Sequence, residues 1–176
     1  MILTLISALI LVSGCINNGN QTSGNSNNTK TYSVDDITFH YPENWVTLAS
    51  QARNSVIAVG DPNTNDSNGN ARVNVVIQKT AQPQNETFSQ YFNDTYTNFA
   101  SQNLSFVQIS QGTININGLN GYETVYKINS GGIKEQRAVW IQKNDNVYII
   151  LCTAPESEYN TQQSNFDIIV NSFKIQ

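Results

Sequence analysis

One apolar run constrains the fold of this chain more than any other feature. Along Val147–Ala154 (VYIILCTA) the side chains do not alternate between apolar and polar. A strand of this kind is covered on both faces, because a half-exposed strand carries a polar residue at every second position. The sequence therefore predicts that this segment lies inside a sheet and not at its edge.

The surrounding segments predict the rest of the sheet. Gly121–Ile128 and Ile133–Lys143 alternate in polarity and are bounded by turn residues, which is typical of antiparallel neighbours. Turns are predicted at Asn117-Gly118, Asn120-Gly121, Ser130-Gly131-Gly132 and Asn144-Asp145-Asn146. Further strands are predicted at Ile37–Tyr41, from Trp45 onward, at Val56–Val59, at Arg72–Lys79 and at Phe106–Ile116.

Two helices are predicted beside these strands. Thr87 and Gln90 have the spacing of a capping box, and an aromatic stripe from Phe88 to Phe99 follows at helical spacing. Such a stripe is typical of a helix packed on its own sheet. A second amphipathic helix is predicted over Glu156–Asn171. The sequence thus predicts an α+β domain, in which a mainly antiparallel β-sheet has helices packed on it.

The N-terminal residues have the pattern of an export signal. The apolar run Met1–Gly14 has about 14 residues, too few to span a hydrocarbon core of about 30 Å, so it is predicted to be a signal peptide. Val12-Ser13-Gly14-Cys15 resembles a lipobox, which predicts that Cys15 is lipidated and becomes the first mature residue. The run departs from the usual pattern, since no Lys or Arg precedes it.

A polar segment separates this signal from the globular part. Residues 15–31 are rich in Asn, Gly and Ser and are predicted to form a disordered tether behind the lipidated cysteine. Residues 32–176 are predicted to form one globular domain. The predicted location is the extracytoplasmic face of the cell membrane, with the lipid as anchor. Lipidation of Cys15 would leave Cys152 as a lone, buried thiol without a disulfide.

Composition and motifs argue against several function classes. Only 12% of the residues are charged and the net charge is −4, so the dense basic field that nucleic-acid binding requires is missing. There is one histidine, His40, which is predicted to be an exposed or hydrogen-bonded strand residue. No nucleophile elbow, phosphate loop or Cys-x-x-Cys pair occurs, so neither enzymatic activity nor a cofactor is predicted.

The only site-like cluster is the polar loop Asp61–Asn70 (DPNTNDSNGN). Asp61, Asn63, Asn65 and Asp66 supply oxygen atoms at spacings similar to the start of a calcium loop. The match then fails, because Asp66 stands where the motif needs Gly and Arg72 stands where it needs Glu. The loop is predicted to be a polar turn that does not bind calcium.

Six Asn-x-Ser/Thr sequons are candidates for N-glycosylation in a host that glycosylates. They lie at Asn20, Asn27, Asn65, Asn85, Asn93 and Asn103.

The order of the motifs resembles the PsbP-like family. A strand ending in Tyr-Pro-x-x-Trp (Ile37–Trp45) opens the domain, Val59-Gly60-Asp61-Pro62 follows, and a closing helix ends in Asn171-Ser172-Phe173-Lys174-Ile175. The resemblance covers roughly residues 32–176. It implies an αβα sandwich and a binding or assembly role without catalysis. No functional residue of the photosynthetic members is recognised at a matching position, so a role in photosystem II is not carried over.

Together these features predict a non-catalytic, lipid-anchored accessory domain that binds a membrane or envelope protein at the cell surface. A second hypothesis is an extracytoplasmic solute- or metal-ion-binding protein that uses a cleft beside the sheet. A third, a hydrolase, would require an exposed acid–base pair that the sequence does not offer.

Overall fold

The computed structural model describes residues 12–13, 28–103 and 105–176. The strands are β1 (Val12–Ser13), β2 (Thr29–Val34), β3 (Ile37–Pro42), β4 (Val46–Ser50), β5 (Ser55–Gly60), β6 (Asn74–Ala81), β7 (Val107–Ile116), β8 (Leu119–Asn129), β9 (Ile133–Lys143), β10 (Asn146–Pro155) and β11 (Lys174–Ile175). The helices are α1 (Phe88–Gln102) and α2 (Glu156–Ser172), and Pro62–Thr64 forms a short 3₁₀ turn.

The strands form one large and one small sheet. The large sheet has the order β1-β4-β5-β6-β10-β9-β8-β7, and the small one has the order β11-β3-β2. Every strand pair in both sheets is antiparallel. The predicted fold class is therefore confirmed, with helices packed on a mainly antiparallel sheet.

Strand β10 is the centre of the large sheet, as the apolar run predicts. It pairs with β6 on one side and β9 on the other, and Val147–Ala154 is buried throughout. Because side chains alternate along a strand, Tyr148, Ile150 and Cys152 enter one core, whereas Val147, Ile149 and Leu151 enter the other. One strand thus contributes to both faces of the molecule.

Helix α1 covers one of these faces. Thr87 begins it with the predicted capping box, in which its hydroxyl accepts from Gln90 N–H while the Gln90 side chain accepts from Thr87 N–H. The aromatic stripe packs on the sheet around Trp140, whose Nε1 donates to the Tyr96 hydroxyl at 3.0 Å. The stripe is therefore core packing, as predicted.

Helix α2 and the small sheet cover the opposite face. Tyr159, Phe166, Ile169 and Val170 are buried against the same core as β3. Ion pairs fix the helix to the sheet, because Arg137 on β9 contacts both Glu123 and Asp167. The first turn is held similarly, with Lys127 Nζ 2.7 Å from Glu156 Oε1.

Two local features differ from the predictions. Asn120-Gly121 is not a turn and lies within β8, while Asn117 and Gly118 alone take the left-handed conformation of the hairpin loop. The described structure also places Thr29–Thr31 in β2, paired with β3, whereas the sequence predicts these residues to be part of the tether. The rest of the tether up to residue 27, and the signal peptide apart from residues 12–13, lie outside the described residues.

Candidate functional site

The polar loop Asp61–Asn70 is ordered by its own hydrogen bonds. Asp61 Oδ1 accepts from Asn63 N–H at 3.0 Å and also from the Asn63 side chain. Asp66 Oδ1 accepts from the N–H groups of Asn70 and Asn68 at 2.9 and 2.8 Å. The bond from Asn70 is the main reason that the pKa of the Asp66 carboxyl is lowered, and the bond from Asn68 adds to it. Both carboxylates are therefore used as backbone acceptors in the described loop.

The candidate metal ligands bond to different parts of the loop, since Asp61 accepts from Asn63 whereas Asp66 accepts from Asn68 and Asn70. Asp61 caps the 3₁₀ turn, whereas Asn65 lies in an isolated bridge with Ala71. Across residues 12–13, 28–103 and 105–176 no group of three or more His, Cys, Asp and Glu side chains has the arrangement of a metal site. That the loop does not bind calcium stays a prediction.

Within the described part of the chain, the histidine and the cysteine occupy structural positions. His40 is exposed on β3, its Nδ1 lies 2.9 Å from the Thr31 hydroxyl, and its N–H donates to Ser172 Oγ, as the sequence predicts. Cys152 is fully buried and has no disulfide partner among the described residues. Burial raises the pKa of its thiol to about 12, so the thiol is neutral in the folded protein.

The modification sites are only partly within the described structure. Cys15, Asn20 and Asn27 lie outside the described residues. Asn65, Asn85 and Asn93 are exposed, whereas Asn103 is half-buried, ends α1 and accepts from the hydroxyl of Ser105. Their use as sequons stays a prediction.

Large apolar side chains are exposed at one end of the sheet. Val107 is 58% exposed, Ile109 49% and Ile133 51%, and together they are called here the apolar patch. Val107 is opposite Lys127 in the β7–β8 register, and Ile133 is opposite Asn129 in the β8–β9 register. Cross-strand partners share a face, so Val107 and Ile133 flank Lys127 on the face that carries α2.

A charged rim adjoins this patch. Lys127 contacts Glu156 at 2.7 Å and Glu135 at 3.8 Å, and all three side chains are partly exposed. Exposed aliphatic groups beside a polar rim are typical of protein-binding surfaces, although a patch of three residues is small.

An open cleft of about 460 Å³ lies on the opposite face, beside the N-terminus of α1. Phe88 and Tyr122 form its aromatic side, and their ring centroids are 5.0 Å apart. Thr113, Asn115 and Asn120 supply polar groups. The cleft contains no charged side chain, so it suits a neutral ligand.

Strand β7 itself is the most exposed long strand of the large sheet. Seven consecutive residues, Val107–Thr113, are exposed, and β7 contains no charged residue and no proline. Within the described structure the only strand that pairs with it is β8. The sequence predicts β7 as a strand but does not predict that it is an edge strand, because alternation in polarity does not show which strands pair.

The fold and the match of the sequence to a family model indicate the same protein family. The architecture is a large antiparallel sheet with α1 on one face and with α2 and the small sheet on the other, and the family model described as PsbP-like protein matches residues 12–175. The chain belongs to the PsbP-like family, which confirms the resemblance noted in the sequence. No curated protein matches the chain.

Solved structures support the same fold. Cyanobacterial PsbP from Synechocystis is 17% identical with a TM-score of 0.63, and the match covers 88% of this chain and 98% of that one. LpqN of Mycobacterium tuberculosis, described as involved in cell envelope biogenesis, is 13% identical with a TM-score of 0.57, covering 80% and 83%. The Ran-binding protein Mog1p of Saccharomyces cerevisiae is 12% identical with a TM-score of 0.56, covering 85% and 96%. At these identities the likeness is one of fold.

Proposed function

We propose that this protein is a non-catalytic, lipid-anchored accessory domain that binds another membrane or envelope protein at the extracytoplasmic face of the cell membrane. Membership of the PsbP-like family supports an accessory role, and the involvement of LpqN in cell envelope biogenesis supports the location. None of the helices in the described part of the chain has the length and apolarity to span a membrane. Attachment is proposed to come from the lipid on Cys15.

The apolar patch is the observation that carries the proposal. Val107, Ile109 and Ile133 are the large apolar side chains that the described structure leaves exposed, and all three lie at strand ends of the same sheet region. Partner binding would remove this area from water, at roughly 25 cal/mol for each Å² of apolar surface buried. The adjoining ion pairs of Lys127 would form the polar rim.

Capture from solubilised membranes tests partner binding. The wild-type protein is expected to recover one or more partners reproducibly, and Val107→Asp with Ile133→Asp is expected to lose them, because both changes place a charge in the patch. Thr97→Asp with Asn98→Asp adds the same charge at exposed positions of α1, on the opposite face, and is expected to retain the partners. Failure to recover any reproducible partner would count against the proposal.

Lipidation is tested separately by mass and fractionation. Intact protein from membranes is expected to lack Met1–Gly14 and to carry an added lipid. Cys15→Ser is expected to release the domain from the membrane or to leave an uncleaved precursor. A Cys15→Ser protein that is processed and still membrane-bound would overturn the anchor.

The cleft beside α1 favours a second candidate function, the binding of a neutral solute. Its aromatic pair Phe88–Tyr122 and its amide groups could hold a polar molecule with an apolar face. Thermal-shift screening distinguishes this function, since a ligand at 100 times its Kd stabilises the protein by about 2.7 kcal/mol. Divalent metals are included in the same screen to test the polar loop. Because Asp61 and Asp66 are not expected to bind a cation, these metals should leave the unfolding temperature unchanged.

A further inference from the structure

The outer edge of β7 carries backbone groups that no described strand pairs. Asn117 and Gly118 form a two-residue loop with positive φ at both positions, so Ile116 and Leu119 are a hydrogen-bonded pair. Hydrogen-bonded and non-hydrogen-bonded pairs alternate from there along the ladder. The N–H and C=O groups of Gln111, Thr113 and Asn115 therefore point away from β8, toward the free edge.

This part of the edge lacks the features that usually prevent pairing. Edge strands are normally protected by charged side chains, prolines or bulges. The bulge in β7 lies between Gln108 and Ser110, so the stretch Ser110–Ile116 is regular. That stretch has no charge and no proline.

We propose that β7 pairs antiparallel with β7 of a second copy of this chain, about a two-fold axis that passes between the two Thr113 residues. In this register Thr113 is opposite Thr113 of the second copy, and Gln111 is opposite Asn115. The result is one continuous sheet across two molecules. The pairing is independent of the partner protein proposed above.

The register follows from the positions of the outward-pointing groups. Two antiparallel edge strands exchange hydrogen bonds only where outward-pointing residues face each other, so Gln111, Thr113 and Asn115 must match residues of the same set. Centring the axis on Thr113 matches all three. Shifting the axis to Gly112 brings Asn115 opposite the bulge, and shifting it to Ile114 brings Gln111 opposite the hairpin loop.

The side chains suit the same register. Thr–Thr is a favourable cross-strand pair. The Gln111 amide already donates to Asn93 and the Asn115 amide to Asn120, and each keeps a second N–H and a second oxygen lone pair for hydrogen bonds across the dimer. On the other face Gly112 is opposite Ile114 of the second copy. A Cβ placed on Gly112 would meet no atom within 4 Å, so there is room for the isoleucine side chain.

The contact area predicts a weak dimer. Pairing through one strand edge buries less than the ~1,200 Å² of a standard stable interface, so association is expected to be concentration-dependent. The two-fold axis is perpendicular to the sheet, so the apolar patches of the two copies lie on the same face of the dimer. A partner protein could then meet two patches at once, which raises apparent affinity.

Sedimentation of the full chain at concentrations up to about 1 mM tests the pairing. The wild-type protein is expected to show a reversible dimer. Thr113→Lys places two like charges directly opposite each other and is expected to raise the dimer Kd by about fivefold or more. Thr161→Lys makes the same substitution at an exposed position of α2 and is expected to leave the Kd unchanged. Far-UV circular dichroism checks that each variant is folded.

A charge exchange tests the register. Gln111→Lys with Asn115→Lys in one protein, and Gln111→Glu with Asn115→Glu in another, are each expected to be monomeric alone. Mixing the two is expected to give a heterodimer, because every Lys then faces a Glu. A monomeric wild-type protein at all concentrations would overturn the proposal, as would a Thr113→Lys protein that dimerises like the wild type or a mixture that stays monomeric.

Discussion

The Cys152 thiol is a packing group whose chemistry is suppressed by its surroundings. It lies on β10 between β6 and β9, with no exposed surface, and burial raises its pKa to about 12. The thiolate is the reactive form, so reaction with a thiol reagent requires at least local opening of the sheet.

We therefore expect native Cys152 to react with a thiol reagent far more slowly than the unfolded protein does. Cys152→Ala should lower the free energy of unfolding by about 1 kcal/mol, because it leaves only a small cavity. Labelling rates and urea unfolding measure the two quantities on the full chain, with Cys15→Ser as background so that one thiol remains. Rapid native labelling would contradict the central position of β10.

A second residue-scale feature joins the small sheet to the large one. Asp36, in the β2–β3 hairpin loop, accepts from Lys79 Nζ at 2.6 Å and from the Tyr148 hydroxyl. The hydrogen bond from Lys79 is the main reason that the pKa of the Asp36 carboxyl is lowered, and the Tyr148 bond adds to it. Lys79 also lies 5.3 Å from the centre of the Tyr148 ring.

This pKa shift predicts a pH-dependent contribution to stability. Since the native pKa lies below the ordinary value of 3.8, the contribution is present above that value and is lost as pH falls through the native pKa. Asp36→Asn is expected to cost about 1 kcal/mol at pH 7, because solvent screens this partly exposed pair. The difference from wild type should shrink toward pH 2 in chemical unfolding. Asp35→Asn, at the neighbouring loop position, is the control and should change stability little; a constant Asp36→Asn deficit at every pH would contradict the assignment.

At the scale of single elements, strand β8 contains a glycine, Gly121, that is required by the close packing of β9 and not by a turn. Gly118 has a φ of +85° and completes the hairpin loop, whereas Gly121 lies within the strand. A Cβ on Gly121 would overlap the carbonyl oxygen of Trp140 and lie 2.6 Å from Cδ1 of Ile141. The close approach of β9 therefore explains why this position is occupied by glycine, which has no Cβ.

Gly121→Ala is expected to destabilise the protein by about 1–3 kcal/mol, because the backbone of β9 would have to move. Gly112→Ala on β7 is the matched control, since its Cβ meets open space and Ala restricts the unfolded chain more than Gly does. Thermal unfolding at low protein concentration should separate the two variants clearly. Equal stability of the two would contradict the close packing of β8 on β9.

These elements also show what the sequence could predict. The apolar run of β10 and the capping box at Thr87 depend on local patterns, and both predictions are confirmed. Asn120-Gly121 has the same local pattern as Asn117-Gly118, so sequence alone could not separate the turn from the packing glycine. The exposed edge of β7 and the pairing of β11 with β3 depend on contacts between distant residues, which polarity patterns do not encode.

The candidate surface was less predictable than the fold for the same reason. Val107 and Ile133 look like ordinary strand residues in the sequence, and only the position of their strands in the sheet leaves them exposed. The polar loop Asp61–Asn70 resembles a metal site in sequence because it is rich in side-chain oxygen atoms. Its carboxylates instead accept hydrogen bonds from backbone N–H groups of the loop itself.

At the scale of the whole molecule, the two cores share the same strands. Ile149 faces the core under α1 and Ile150 faces the core under α2, and β9 contributes to both in the same way. Unfolding of either core would expose one face of strands β9 and β10 and so destabilise the other core. The domain is therefore expected to unfold as one cooperative unit.

The two tryptophans allow this to be measured, because Trp140 lies in the core under α1 and Trp45 lies in the core under α2. Trp45→Phe leaves Trp140 as the fluorescent reporter of the core under α1, and Trp140→Phe leaves Trp45 as the reporter of the core under α2. Within each variant the midpoint from tryptophan fluorescence should coincide with the midpoint from far-UV circular dichroism, even though the two variants differ in stability. A Trp140 signal that changes at lower denaturant than the circular dichroism would show that the α1 side opens first and would contradict a single cooperative unit.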